Sequence, residues 1–309
     1  MSIEAGAERP RISAKLQGHL AMALFALLIA GSFFIGKRAA PHIESGALNA
    51  VRHLIAIPVM GAFAFAFTPS SGRAALMKPV AIWRFFILGG LMAFYFVMMF
   101  AALRLTTSVS TGAILTLMPL MSAGFAYALL RQNAGPTVIS SLSLAAVGTI
   151  WVIFRGDVQA ILSFAVGKGE VIFIFGVAAH ALNNPMVKKL NRGESVLMFS
   201  FWTIVATGIC LFIYGAPAII ATDWAGLPAI VWICVLYLAT ATTAGTIFLL
   251  QFAVMRISAA KAIGYTLLTP SYVIILEGLA GSGWVSLNIM AGALVTLLGL
   301  AILVASPDV

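Results

Sequence analysis

The stretch "STGAILTLMPL", residues 110–120, has a counterpart later in the chain. A shift of 151 residues places it on "KAIGYTLLTPS", residues 261–271, and Pro119 then falls on Pro270. Few of the paired residues are identical, but both segments are apolar and both carry a proline at the same place. Self-similarity at a fixed shift is typical of internal repeats. The chain is therefore predicted to consist of two homologous halves.

The composition indicates what surrounds these halves. The 309 residues are 62% hydrophobic and 9% charged, and the mean hydropathy is +1.08. A soluble domain is about half apolar and about a quarter charged, so a bilayer is the solvent that this composition fits. Runs of about 20 apolar residues predict ten membrane-spanning helices, at 17–36, 46–67, 80–102, 109–130, 137–154, 170–189, 195–215, 226–250, 259–280 and 285–305.

The predicted fold class is an all-α integral membrane protein built from two inverted five-helix repeats. The paired prolines lie in the fourth and ninth spans, and because five is odd the two halves cross the membrane in opposite directions. The Lys and Arg residues divide twelve to six between the two sides, which predicts that both termini are cytoplasmic. The predicted segments are an N-terminal tail 1–16, a first repeat 17–154, a connector 155–169, a second repeat 170–305 and a C-terminal tail 306–309.

Polar residues interrupt the sixth span. His180 lies near the middle of the membrane, and Asn183 and Asn184 follow at spacings that place all three on one helix face. Because polar groups facing lipid at this depth are costly, we expect the face to point into the bundle. Pro185 cannot donate to the carbonyl of Ala181, which predicts a helix break beside the same face.

The first half supplies a different surface at the matching place. A shift of 150 residues places "GSFFIGKR" (31–38) on "ALNNPMVK" (181–188), so that Phe33 and Phe34 fall on the two asparagines. Amides on one wall and aromatic rings on the other would suit an amphipathic small molecule. The alternative interpretation is that the asparagines only tie helices together.

Five further residues in the spans are candidates for function. Arg52 and Glu277 are expected to lie shallow on the same side, either as a gating ion pair with Glu277 as a protonatable coupling group, or as side chains that snorkel to the headgroups. Tyr95, Trp202 and Tyr265 combine an apolar body with a polar tip, so they either line a binding site or belong to the core or interfacial belts.

Two features concern the shape and packing of the helices. Pro119 and Pro270 predict breaks in the fourth and ninth spans, as Pro185 does in the sixth. "ATATTAGT" (239–246), in the eighth span, is rich in small residues and is interpreted as a surface for close helix packing.

Several classes of function are disfavoured. The sequence has no HExxH, GxSxG, Walker or Gly-rich dinucleotide motif, so neither nucleotide hydrolysis nor a cofactor is predicted. Cys210 and Cys234 lie alone in apolar runs, which predicts core residues rather than metal ligands. Lys and Arg are scattered without a basic stripe, which disfavours nucleic acid as a partner. A membrane enzyme using His180 would lack a partner base.

The chain resembles the EamA-type branch of the drug/metabolite transporter superfamily over residues 17–305. Ala30 stands where that family often has Trp, and Arg131-Gln132 where it often has Gly-Glu. The resemblance implies ten helices, two EamA repeats, an inner-membrane location and small-molecule transport, with export favoured. The segments that carry it are "IAGSFFIGKRAAP" (29–41), "LNAVRHLIAIP" (48–58), "AALRLTTSVSTGAILTLMPLMSAGFAYALL" (101–130) and "FAVMRISAAKAIGYTLLTPSYVIILEGL" (252–279).

The function predicted from the sequence is secondary transport of a small organic metabolite or drug-like molecule across the inner membrane by alternating access. The first alternative is an importer of a metabolite such as a sugar or a nucleoside, and the second is a non-transporting or enzymatic membrane protein. The expected partners are a small-molecule solute, the lipid bilayer and protons as a coupling ion. Ten helices can enclose a path in one chain, so a monomer suffices, and a homodimer is the alternative.

Overall fold

The computed structural model describes residues 13–68, 78–163 and 166–306. Ten helices in these ranges are long and apolar enough to cross a membrane, which confirms the ten predicted spans. Most of the predicted tails 1–16 and 306–309 lies outside the described residues. The helices are α1 (Ala14–Ala39), α2 (Ser45–Phe67), α3 (Trp83–Leu105), α4 (Ser108–Leu130), α5 (Pro136–Ile153), α6 (Lys168–Leu190), α7 (Val196–Ala221), α8 (Ala229–Val254), α9 (Lys261–Leu279) and α10 (Leu287–Ala305).

The helices alternate in direction, because each crosses the membrane once and short loops connect them. We call the side on which α1 begins the N side, and the opposite side the far side. The helices α1, α3, α5, α7 and α9 run from the N side to the far side, and the other five return. A short helix, Val158–Leu162, lies in the far-side connector between the two halves.

The packing of the bundle follows the repeat. The equivalent helices α2 and α7 pack along each other, and so do α5 and α10. The contact of α3 with α6 is mirrored by that of α8 with α1. Each half therefore buries its helices against the other half, which is the arrangement of an inverted repeat.

Glycines let α5 and α10 approach at backbone distance. A Cβ atom on Gly148 would lie 2.5 Å from the carbonyl oxygen of Gly292, and one on Gly299 would lie 2.6 Å from that of Ser141. Gly148 and Gly299 are separated by the repeat shift of 151 residues, so the same close contact occurs twice. Small residues of this kind are what allow membrane helices to pack tightly where no hydrophobic effect acts between them.

Prolines mark two equivalent helix breaks. The helix α4 is divided after Leu115, and α9 contains a 3-10 turn at Tyr265–Leu268. Pro119 and Pro270 follow as the second residue of the next helical segment, a position at which the missing N–H is not needed. Pro185 differs from the prediction, because α6 continues through it as one α-helix. A membrane helix often tolerates such a proline, because neighbouring helices can satisfy the backbone carbonyl that the proline leaves without a donor.

Candidate functional site

A cavity of about 350 Å³ lies between the two halves, walled by α1, α2 and α3 from the first and α6, α7 and α8 from the second. It extends from the middle of the bundle toward the N side, where Phe25, Val187 and Phe199 line it. Most of the surface that faces the cavity is apolar, and polar side chains are interspersed along it. Both its size and its lining are typical of small-molecule sites.

The middle of the cavity is built from repeat-equivalent residues. Eight pairs separated by 151 residues contribute both members to the wall, so the cavity lies on the symmetry axis that relates the two halves. The pairs are Ile29 with His180, Ser32 with Asn183, Arg52 with Thr203, His53 with Ile204, Met92 with Thr243, Tyr95 with Thr246, Phe96 with Ile247 and Met99 with Leu250.

This register corrects the expected aromatic wall. Phe33 is fully buried and packs edge-on against a phenylalanine of α6 at a centroid distance of 5.8 Å. Phe34 lies toward the far side, with the guanidinium of Arg38 3.7 Å from its ring centroid. The shift that relates α1 to α6 in the cavity is 151 rather than 150 residues, so Ile29 and Ser32 take the places expected for the residues one position later.

The polar face of α6 divides between two environments. His180 and Asn183 line the cavity, and the His180 ring lies 4.5 Å from the ring of Tyr95. In the described part of the chain, His180 Nδ1 and Asn183 Oδ1 have no hydrogen-bond partner. Asn184 instead donates from Nδ2 to Ser122 Oγ on α4 at 3.3 Å. Because consecutive helical residues point about 100° apart, the two asparagines reach different neighbours.

Arg52 lies in the opposite wall. It was expected either in an ion pair with Glu277 or with its side chain snorkelling to the headgroups, but it is 3% exposed and lines the cavity. Its guanidinium carbon lies 4.0 Å from the centroid of Phe96, and its Nη1 lies 3.5 Å from Oδ1 of Asn49. The adjacent His53 donates from Nδ1 to the Asn49 carbonyl at 2.8 Å. The sequence gives the distance of Arg52 from the helix end, but not which way its helix face points.

Hydroxyl groups from α7 and α8 form a further part of the wall. The segment interpreted as a packing surface contains a π-helical turn, Thr240–Gly245, which turns threonines toward the cavity. Each hydroxyl donates to a carbonyl of its own helix, so its oxygen keeps acceptor capacity for a solute. The threonines concerned are Thr203, Thr207, Thr242, Thr243 and Thr246. A π-helical turn at this place fits the frequent occurrence of such turns at functional sites.

Four polar residues form a hydrogen-bonded group on the far side, and we call them the far-side clasp: Arg38, Ser108, Glu277 and Ser282. Arg38 Nη2 donates to Glu277 Oε2 and to Ser282 Oγ, both at 2.9 Å. Ser108 Oγ donates to Glu277 Oε1 at 2.6 Å. The clasp joins the end of α1 to α4 and α9. Glu277 therefore pairs with Arg38, whereas the sequence had led us to expect Arg52.

The other two aromatic candidates lie outside the cavity wall. Tyr265 hydroxyl and His19 Nδ1 are 2.9 Å apart, which links α9 to α1 near the N side. Trp202 packs beside Phe201 at a centroid distance of 5.3 Å. Of the three aromatic candidates, Tyr95 is the one that lines the cavity.

A second ion pair lies on the N side. Arg84, whose side chain is 1% exposed, binds the carboxylate of Glu194 in the loop between α6 and α7. It also donates to the carbonyls of Val80 and Leu190. The hydrogen bond from Arg84 lowers the pKa of Glu194 to about 2, because it stabilises the ionised carboxylate.

Comparisons with known proteins agree with this architecture. The EamA-like transporter family matches residues 16–154 and 167–305, and these segments differ by 151 residues at both ends. The chain is 22% identical over 276 residues, covering 89% of each protein, to "Uncharacterized transporter YyaM" of Bacillus subtilis (strain 168). A solved chain described as "Crystal structure of protein" shares the fold, with a TM-score of 0.65, 18% identity and coverage of 94% of this chain and 95% of that one. This multi-pass membrane protein, with its two five-helix repeats, belongs to the EamA-like transporter family.

Proposed function

We propose that this protein is a secondary transporter that carries a small organic solute across the inner membrane by alternating access. The observation that carries the proposal is the central cavity, whose middle is lined by eight repeat-equivalent pairs. If the halves exchange conformations, the same residues line a cavity that opens on the other side. The units that exchange would be the predicted repeats, 17–154 and 170–305.

In the conformation described here, the cavity would be open toward the N side. The cavity extends in that direction, and the far-side clasp links the ends of α1, α4 and α9 across the opposite end. The N side carries the excess of Lys and Arg, which favours a cytoplasmic orientation of this side and of both termini. A cytoplasmic opening would load a solute for export.

The energy source would be a gradient, since the sequence has no nucleotide-binding motif. Glu277 is our candidate for coupling to protons, because protonation would remove the charge that attracts Arg38 and would weaken the clasp. One chain encloses the cavity, so a monomer would be sufficient for transport.

The proposed solute-binding groups are His180, Asn183, Tyr95 and Arg52, all of which line the cavity. The proposal assigns a structural role to Asn184, which bonds to α4. It assigns structural roles also to Phe33, Phe34, Trp202 and Tyr265, which pack elsewhere.

Thiol labelling at two repeat-equivalent positions tests alternating access. Phe199 is 4% exposed and lines the cavity near the N side, whereas its equivalent Leu48 is 0% exposed near the far side and does not line the cavity. In a background lacking Cys210 and Cys234, a membrane-impermeant maleimide should label Phe199→Cys from the N side and leave Leu48→Cys unlabelled. During transport, labelling of Leu48→Cys from the far side should rise as labelling of Phe199→Cys falls. Labelling of both variants that stays unchanged during transport would contradict the proposal.

Metabolite profiling of medium and cytosol then tests transport and its direction. Cells producing the wild type should enrich a compound in the medium that cells producing Asn183→Ala at equal membrane abundance do not. Enrichment inside the cell would establish the alternative, an importer. If the wild type and cells without the protein give the same profile, the proposed transport is wrong.

A further inference from the structure

Arg52 places a permanent charge in the cavity. It lies seven residues after the start of α2 at Ser45, which is roughly 10 Å along the helix axis. A guanidinium stays protonated in proteins, so the charge is present whether the cavity is filled or empty. The side chain is 3% exposed, and what remains accessible belongs to the cavity wall.

Among the described residues, none supplies a carboxylate to balance this charge inside the cavity. No Asp or Glu occurs among the described residues that line it. The acidic residues of the described ranges lie in loops or near helix ends: Glu44, Asp157, Glu170, Glu194, Asp223 and Glu277. Arg52 contacts the Phe96 ring and the Asn49 amide, and its Nε has no hydrogen-bond partner in the part of the chain that the structure describes.

Charged groups at membrane depth are almost always paired or face a site. In the described ranges Arg52 has no carboxylate partner, and it lines the cavity. We infer that the solute is an organic acid whose carboxylate binds the guanidinium of Arg52, an inference that rests on the proposed transport function. The planar fork of Arg matches a carboxylate with two parallel hydrogen bonds, a geometry that neither a cation nor a neutral amide reproduces.

The rest of the cavity defines the rest of the solute. An inorganic anion would leave most of the roughly 350 Å³ unfilled, since a water molecule takes about 30 Å³ of the liquid. Phe96 and Tyr95 are neighbours on α3, with ring centroids 5.2 Å apart, and form an apolar shelf that leads from Arg52 on α2 to His180 on α6. An apolar body would lie on this shelf.

The end of the shelf beside Tyr95 offers hydrogen-bonding groups. His180 Nδ1 and Asn183 Oδ1 are buried and without partners in the described residues, and they sit one helical turn apart. The repeat does not duplicate these groups, because Arg52 is paired with Thr203 and His180 with Ile29. The cavity is therefore symmetric in backbone but not in side-chain chemistry, with Arg52 beside Phe96 and the partnerless His180 Nδ1 and Asn183 Oδ1 on the Tyr95 side.

Equilibrium binding to the purified full-length protein in detergent tests the inference. The probes are three carboxylates, namely benzoate, 3-phenylpropionate and hexanoate, each with its uncharged amide of the same shape, and 3-phenylpropylamine as a cation. The wild type should bind at least one carboxylate about 30-fold or more tightly than its amide. Arg52→Gln should lose that preference, and Arg52→Lys should recover it in part because the charge remains.

Arg104→Gln is the matched control, since it removes one exposed arginine at the end of α3 and should leave the preference unchanged. The inference is wrong if no carboxylate of the set is preferred over its amide, or if the preference survives in Arg52→Gln. It is also wrong if sodium chloride or sodium phosphate at the same concentration displaces the carboxylate fully, because the site would then hold an inorganic anion.

This assay separates the inference from the function on which it rests. Binding that depends on Arg52, in a protein whose maleimide labelling never changes sides, would support the anion site and refute transport. Transport of a compound without a negative charge, together with no preference among the probes, would support the transport function. It would refute the inference that the solute is an organic acid.

Discussion

The two sides of the bundle differ at positions that the repeat makes equivalent. On the N side, Val187 and Phe199 line the cavity. Their equivalents on the far side, Gly36 and Leu48, are buried and do not line the cavity. A Cβ atom on Gly36 would lie 2.9 Å from Cε1 of Phe100, so the glycine is what permits the contact. The difference teaches that helix packing on the far side uses residues that the N side lacks.

The ionic contacts differ in the same way. Arg38 and Glu277 of the far-side clasp correspond to Lys189 and Ala126 on the N side, so the same ion pair cannot form there. The N side instead has the Arg84–Glu194 pair, whose side chains are 1% and 10% exposed, against 32% and 13% in the clasp. We interpret the buried pair as a permanent clamp and the clasp as a contact that can open.

The largest effect on stability should come from the buried clamp. Arg84→Gln removes the partner of Glu194 and leaves carbonyls of Val80 and Leu190 without their donor. The free energy of unfolding should fall by about 3–5 kcal/mol. Arg38→Gln is the control at the more exposed pair and should cost about 1 kcal/mol or less. Unfolding in mixtures of mild detergent and SDS, followed by circular dichroism, measures both, and equal losses would contradict the distinction between clamp and clasp.

The same clamp should make stability depend on acid. The pKa of Glu194 is lowered to about 2 in the folded protein and is about 4.3 in an unfolded chain. Its stabilising contribution is therefore fully present above about pH 4.3 and is lost as the pH falls through about 2. The wild type should exceed Glu194→Gln in unfolding temperature at pH 7, and the gap should narrow as the pH is lowered. A gap of constant size down to pH 2 would show that ionisation of Glu194 plays no part.

Overpacking the far side should weaken its closure. Gly36→Val forces a side chain against Phe100 and should destabilise the closed far side by about 1–3 kcal/mol. Labelling of Leu48→Cys from the far side should then rise by about tenfold or more. Gly90→Val is the matched control, because no heavy atom lies within 4 Å of a Cβ built on Gly90. If both substitutions leave labelling unchanged, glycine packing does not control the closure.

Neutralising the clasp should have a smaller effect of the same kind. Glu277→Gln keeps the shape of the side chain but removes the charge that holds Arg38, at a cost of about 1 kcal/mol. Far-side labelling of Leu48→Cys should rise several-fold. If protonation of Glu277 opens the clasp, labelling should also increase with acid while Glu277 is present and no longer do so in Glu277→Gln. Glu44→Gln, an exposed far-side carboxylate before α2, is the control. A pH dependence that persists in Glu277→Gln would remove this residue as the coupling site.

The smallest expected change in stability separates the two asparagines. Asn184→Ala breaks one interhelical hydrogen bond, to Ser122, and should cost about 0.6 kcal/mol while transport continues. Asn183→Ala removes an unpartnered cavity group, so it should leave the unfolding free energy nearly unchanged and reduce transport. Transport assays and SDS unfolding of the two variants test this, and the reverse pattern would exchange the roles we assign.

Some of the site could be predicted from the sequence and some could not. His180 and Asn183 stand out because polar side chains are rare in a span, and both line the cavity. The register between α1 and α6 was one residue off, because so few residues are identical that neighbouring shifts match almost equally well. A slip of one residue turns a helix by about 100°, which is enough to exchange Ser32 for Phe33.

What the sequence by itself determined is the ten spans, the two repeats and the membrane environment, because length and hydropathy are local properties of each segment. Only the tertiary structure decided which side chains meet. It paired Glu277 with Arg38, turned the threonines of α8 toward the cavity and left Arg52 inside it without a carboxylate. The physical reason is that packing against neighbouring helices sets the rotation of a helix about its axis. A membrane helix is apolar on nearly all of its faces, so its sequence does not show which face points into the bundle.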